Sequence, residues 1–155
     1  MSWEAFTQAL GNAKDTARNW VRDLKAIPDR ASDIADEAFP NSARDLSMKN
    51  AYRHALGTGM MTHHLGGGIL GGALAKMAGW GWEAPTLIDP RSTTAEVIDS
   101  KHDLNANAIG ASVAQWARNQ KDLEAVLKGY AERSFVTSPP GVLSESPGWM
   151  TRAVR

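Results

Sequence analysis

Residues 93–112 read TTAEVIDSKHDLNANAIGAS, and the way this stretch folds decides the architecture of the chain. Neither Pro nor Gly occurs between Ser92 and Ile109, and Thr93 with Glu96 three residues on has the form of a capping box. A long helix is therefore expected from Thr93 to about Asn119. Asp103, Asn105 and Asn107 weaken such a helix, because their side chains compete for backbone hydrogen bonds. At about 100° per residue, Asp99, Asp103 and Asn107 fall into one stripe, with Val97, Leu104, Ala108 and Ala111 beside it. A polar stripe adjoining an apolar face is unlike a solvated surface. It is expected to point inward, with Lys101 and His102 in solvent.

The rest of the chain repeats the helical period. Trp3, Phe6, Leu10, Ala13, Ala17, Trp20, Val21 and Leu24 recur in steps of three and four, marking an amphipathic helix over residues 1–27 that ends before Pro28. A shorter helix is expected through Ile34 and Ala38, closed by Pro40. Ser42 and Asp45 resemble another capping box, opening a helix through NAYRHALGTGMMTHH to about Leu65, where Gly66, Gly67 and Gly68 break it. An apolar segment follows, then GWEAPTLIDPR, read as a loop from Pro85 and Pro90. Leu123, Val126, Leu127 and Tyr130 mark a last amphipathic helix. From Ser138 the chain reads SPPGVLSESPGWMTRAVR, the composition of an extended Pro/Ser/Gly-rich tail. No run alternates with strand period. The expectation is an all-α fold: a single helical domain over residues 1–137 as a compact bundle of about five helices, its core in 42–119, with 138–155 as tail.

Composition narrows the function classes. With 155 residues, 43% hydrophobic and 22% charged, the chain is long and apolar enough for one domain with a real core. A net charge of zero and a pI near 6.9 argue against nucleic acid as the main partner, which usually needs a basic surface. Zero cysteines exclude disulfides and thiolate chemistry. The first twenty residues lack a positive region followed by an apolar run, so no signal peptide is read there.

Residues 65–82, LGGGILGGALAKMAGWGW, pose a separate question. Six glycines by Gly79 and the central Lys76 make a poor spanning helix. The leading expectation is a core helix whose glycines admit a neighbouring helix closely; the alternatives are a segment that inserts into membranes after a conformational change and, last, a constitutive span.

Complementary polar chemistry lies upstream of the Asp/Asn stripe. Arg53 and His54 sit in the second long helix, Arg53 on the face of His64, and Glu83 is placed at the mouth of the loop. An inward Arg53 is suited to pair with Asp99 or Asp103. The adjacent His63 and His64 point about 100° apart, so both cannot serve one small site. Three readings fit. The residues form a buried polar network that fixes helix register. Or His54, Glu83 and Asp103 hold a divalent metal such as zinc, manganese or magnesium. Or His54 and Glu83 do metal-free acid/base chemistry, with Arg53, Asp99 or Asn107 orienting groups or holding an oxyanion.

Three segments taken in order, NAYRHA (50–55), WE (82–83) and DSKHDLNANAIG (99–110), resemble the signature of an uncharacterised domain family of phage and bacterial wall-associated or secreted proteins. Its pattern is approximately RHA, a distant E, then DxxxDLxNNxxG. The resemblance covers about residues 48–112 and carries over to Arg53, His54, Glu83, Asp99, Asp103, Asn107 and Gly110. Two departures are Ala106, where a second polar residue is expected, and the Gly-rich run in place of a plainer Ala-rich helix. The resemblance implies a phage or bacterial protein working at the cell envelope or in a virion, otherwise cytoplasmic. It implies context more than reaction; from the pocket residues themselves the expectation is hydrolysis of peptidoglycan or lipid, with His54, Glu83 and Asp103 as catalytic candidates. The alternative is a non-enzymatic virion, secretion-associated or ejection protein, docking other chains through the Trp3–Leu24 helix and the 138–155 tail and touching membrane through 65–82.

Overall fold

The computed structural model describes residues 3–40 and 43–136. They form five helices: α1 (Trp3–Ala38), α2 (Ala43–His64), α3 (Gly68–Ile88), α4 (Thr94–Ala114) and α5 (Gln120–Val136), with no strand among the described residues. The all-α fold is as expected. Ser42, expected to cap α2, and the tail 138–155 lie outside the described residues.

Three boundaries differ from the sequence reading. The helix expected to end before Pro28 and the short one after it are a single helix, because Ile27, Ala31 and Ala35 carry one buried stripe across the proline. Pro28 is exposed, on the side where water can reach the carbonyl left without its usual N–H partner. The expected loop at Pro85 is likewise helical: α3 runs on to Ile88, and Asp89 N–H donates to the Pro85 carbonyl at 3.0 Å. Glu83 therefore stands inside a helix rather than at the mouth of a loop. Conversely, α4 stops at Ala114, short of Asn119. Trp116 N–H folds back to Val113 O at 3.0 Å, and Asn119 caps the next helix, its Oδ1 accepting from Asp122 N–H at 3.0 Å.

The start of α4 is as expected. Thr93 N–H donates to Glu96 Oε2 at 2.7 Å, and Glu96 N–H donates to Thr93 Oγ1 at 3.3 Å, so two orphan amides are satisfied reciprocally. Thr93→Ala is expected to lower the unfolding free energy by ~1 kcal/mol. A drop in melting temperature of roughly 2–5 °C would register it, with faster amide exchange confined to the first turn of α4.

Helix α2 is the hub, packing on all four others. Tyr52, Leu56 and Met60 of α2 meet Ile27 and Ala31 of α1 and Leu123 and Leu127 of α5 in the apolar core. The Tyr52 ring stands edge-on to Phe39 with centroids 5.5 Å apart, and burial pushes its phenol up to about 12. The other side of α2 meets α3 and α4 through small residues. Gly59 lies against Gly110 O, and Gly110 against the Ala55 backbone, so α2 and α4 cross nearly backbone to backbone. Gly71 abuts Thr62 O, while Gly72 and Gly79 abut Gln115 and Asn107. Gly71, Gly72 and Gly79 of the 65–82 segment do admit neighbouring helices closely. The segment is not a core helix, however: Ile69, Leu70, Leu74, Met77 and Trp80 are exposed. With its small residues spent on the contact face, its large ones are left facing out.

Candidate metal centre and its cleft

Stripes of small residues on α3 and α4 each carry one polar side chain at an end, and α2 adds a third from beside its contact with α4. On α3, Gly72, Ala75, Gly79 and Glu83 follow in steps of three and four, so the face that packs on α2 and α4 delivers Glu83 into the seam between them. On α4, Asp103, Ala106 and Gly110 share the buried face, and the crossing at Gly110 draws the chain down onto Ala55. His54 precedes Ala55, which brings its ring to Asp103, His54 Nε2 lying 3.3 Å from Asp103 Oδ2. One ligand atom each from His54, Glu83 and Asp103 lies within 4.8 Å of the others. Ligands bound to one ion at ~2.1 Å stand at most ~4.2 Å apart, so small side-chain rotations suffice to hold it.

The surroundings orient Asp103 and leave Glu83 free. Asn50 Nδ2 donates to Asp103 Oδ1 at 2.9 Å, and Asn50 Oδ1 accepts from Arg53 at 2.6 Å, so Arg53 sets the amide that sets the carboxylate. Thr58 O–H donates to Asn107 Oδ1 at 2.8 Å. Glu83 is only 8% exposed, yet among the described residues its carboxylate accepts no hydrogen bond and joins no ion pair. A cleft of about 390 Å³ opens over these groups, lined by Arg53, His54, Trp82, Glu83, Asp99 and Asp103 among others. A larger cleft, about 470 Å³, lies elsewhere against α1 and is lined by His63 and His64.

Comparison with protein-family models, with curated proteins and with solved structures gives no match. The site rests on its own geometry.

The expected residues are mostly brought together, with two corrections. Asp99 is exposed at the rim rather than inward, since a step of four residues drifts by ~40° per turn and Asp99 is two steps from Asn107; Ser100 takes the buried position instead. Arg53 pairs with neither Asp99 nor Asp103, no carboxylate lying within ion-pair distance of it among the described residues, and it bonds Asn50 instead. Asn50, three residues before Arg53 on α2, is the member that sequence reasoning missed as a site residue. Its signal was the helical spacing, which puts i and i+3 on one face. His64 leaves the site altogether, stacking on Trp20 with centroids 5.0 Å apart, while His63 meets Ala114 O at 2.8 Å. His102 and Lys101 are exposed, as expected.

The electrostatics are those of crowded, half-dry carboxylates. Burial, then the charges of Asp99 and Glu83, push the Asp103 carboxyl up to about 7, against the pull of Arg53 and the Asn50 hydrogen bond. Burial and the neighbouring Arg53 hold His54 below the usual imidazole range, against the opposing charges of Glu83 and Asp99. Both partners thus favour their neutral forms, and neutral imidazole is the form that binds a metal. One nitrogen and two carboxylate ligands suit zinc, manganese or magnesium. Three protein ligands facing an open cleft leave positions for water and substrate, as in catalytic rather than structural sites.

Proposed function

We propose that the chain is a phage- or bacterium-encoded, divalent-metal-dependent hydrolase domain acting on a component of the cell envelope, peptidoglycan or lipid. The observation that carries the reading is the convergence of His54, Glu83 and Asp103, one ligand atom each within 4.8 Å of the others, at an open cleft where the Glu83 carboxylate bonds no other described residue. No buried side-chain nitrogen or oxygen among the described residues lacks a partner, so the Glu83 oxygens reach the cleft and stand open to a ligand there, whereas a purely structural network would tie this carboxylate to a neighbour. The envelope setting comes from the sequence signature around Arg53, His54, Glu83 and Asp103.

When bound, the ion would supply Lewis acidity and a water acidified toward neutral pH. The chain supplies the rest. Asn50 and Arg53 hold Asp103 in one orientation, and the Arg53 guanidinium at the cleft wall offers charge to an anionic oxygen of substrate. Asp99 at the rim is an exposed carboxylate available to take up a proton.

His54→Ala tests the reading. Zinc or manganese affinity, measured by calorimetry, is expected to fall by about 100-fold or more, together with hydrolysis of purified peptidoglycan or phospholipid, and with little change in melting temperature. Loss of thermal stability in His54→Ala, with no metal binding by the unaltered chain, would favour a structural network and remove the proposal.

A second reading, a non-enzymatic virion or secretion-associated component, is favoured by one feature. Every described side chain of α1 from Gln8 to Asp23 is exposed, and Trp20, stacked on His64, is the one among them with a ring contact to another helix. In that reading α1 and the 138–155 segment dock other chains of an assembly.

A further inference from the structure

Helix α3 is built inside out. Its packed face is Gly71, Gly72, Ala75 and Gly79, whereas Ile69, Leu70, Leu74, Met77, Trp80 and Ile88 are exposed, Ile69 to 82%. An ordinary surface helix does the reverse. At ~100° per residue, these six spread over more than a third of the helix circumference, and with Ala73, Ala78, Gly81 and Pro85 the exposed arc reaches about half of it. Between His64 and Glu83 the only charged residue is Lys76, which is exposed, and there is no carboxylate.

Width and charge decide what covers this face. A helix from a second copy packs along a stripe of ~100° and needs polar groups at its rim; this arc is wider and has almost none. Lipid conforms to a convex apolar surface of any width. Exposed tryptophans favour the headgroup layer, and Trp80, 56% exposed, stands on this arc. The lone Lys76 on an acid-free surface complements anionic headgroups. No described helix is long and apolar enough to cross a membrane, so α3 would lie along the surface rather than through it.

We propose that the outer face of α3 docks the protein on an anionic lipid surface and carries the cleft to the headgroup layer. Trp82, 81% exposed, lines the cleft and stands about 40° round the helix beyond Ala78 at the edge of this arc, so the mouth of the site lies beside the docking face. The substrate class that follows, an ester in a lipid headgroup region, rests on the hydrolase reading; the docking face does not.

The test is co-sedimentation of the full chain with vesicles of phosphatidylglycerol and phosphatidylcholine in equal parts. Tryptophan emission is read alongside, and size-exclusion chromatography is run without lipid. The unaltered chain is expected to sediment and its emission to shift to the blue. The triple variant Leu70→Gln, Leu74→Gln, Met77→Gln is expected to bind about tenfold or more weakly, with a melting temperature no lower, since these side chains already face water. His54→Ala is expected to bind vesicles like the unaltered chain. Failure of the unaltered chain to sediment, or equal binding by the triple variant, overturns docking. So does a dimer of the unaltered chain that the triple variant breaks without any vesicle binding, which would assign the face to a second copy. Vesicle binding without release of lipid product, metal being bound, keeps the docking face and overturns the lipid substrate. Absence of metal binding overturns the hydrolase reading and leaves the docking face standing.

Discussion

Gly110→Ala is expected to destabilise the fold more than any other single methyl addition in the described chain. A Cβ at Gly110 would overlap the Ala55 carbonyl and come within 2.8 Å of Ala55 Cα, and both are backbone, so no side chain can swing aside. The helices must separate, and separation opens the packing of Ala106, Ala111 and Ala114, all buried. Overpacking of a core usually costs 1–3 kcal/mol, and a backbone clash at a helix crossing belongs at or above the top of that range, ~3 kcal/mol or more. Against a total stability of roughly 5–15 kcal/mol, that is a melting temperature lower by about 10 °C or a chain that does not fold. Gly81→Ala is the control. Nothing lies within 4 Å of a Cβ there, and helix propensity alone predicts a gain of up to ~1 kcal/mol. The site should report the same event, because the crossing that Gly110 permits is what brings His54 to Asp103. If Gly110→Ala melts within about 2 °C of the unaltered chain, the close α2–α4 crossing is wrong, and the account of the site falls with it.

What could be read from sequence followed the strength of the local signal. The start of α4 was legible because Thr93 and Glu96 act on each other within one turn. The convergence of His54, Glu83, Asp103 and Asn107 was legible because polar residues at helical spacing beside apolar ones have few places to go. Prolines misled: Pro28 is exposed inside a helix whose buried stripe runs past it, so tertiary packing outweighs the lost hydrogen bond, and Pro85 is exposed in the last turn of α3, which continues to Ile88. The outward face of α3 was misread for a similar reason. Hydropathy places apolar side chains inside, but four small residues on one face let the helix pack there with its bulk left out. The role of Asn50 was not legible at all. It depends on an amide whose two ends meet Arg53 and Asp103, and spacing says which residues share a face without saying which atoms meet.

Asp103→Asn is expected to stabilise the metal-free protein and abolish its metal site, and the pH dependence of both effects carries the sign. In the folded chain the Asp103 carboxyl titrates near 7, above the ordinary 3.8, chiefly because burial penalises its charge. The folded state therefore holds that proton more tightly than the unfolded state. The stability this contributes is fully present below about pH 4 and is lost as pH rises to about 7. Taken at face value the loss is ~4 kcal/mol; water in the open cleft reduces it, and about 1–3 kcal/mol is the expected observation. An amide avoids the loss, keeps an oxygen for Asn50 and offers an N–H to the neutral ring of His54. Near pH 4 the variant and the unaltered chain should unfold alike, and by pH 8 the variant should be the more stable. Metal reverses the order. At about 100 times its dissociation constant a ligand adds ~2.7 kcal/mol to a protein that binds it only when folded. The unaltered chain at pH 8 should therefore gain that much from zinc or manganese, and the variant nothing measurable. Denaturant melts at the two pH values, with and without metal, decide the matter. A variant less stable than the unaltered chain at pH 8 without metal would mean that the His54–Asp103 pair holds the helices together. The cleft would then be a structural network after all.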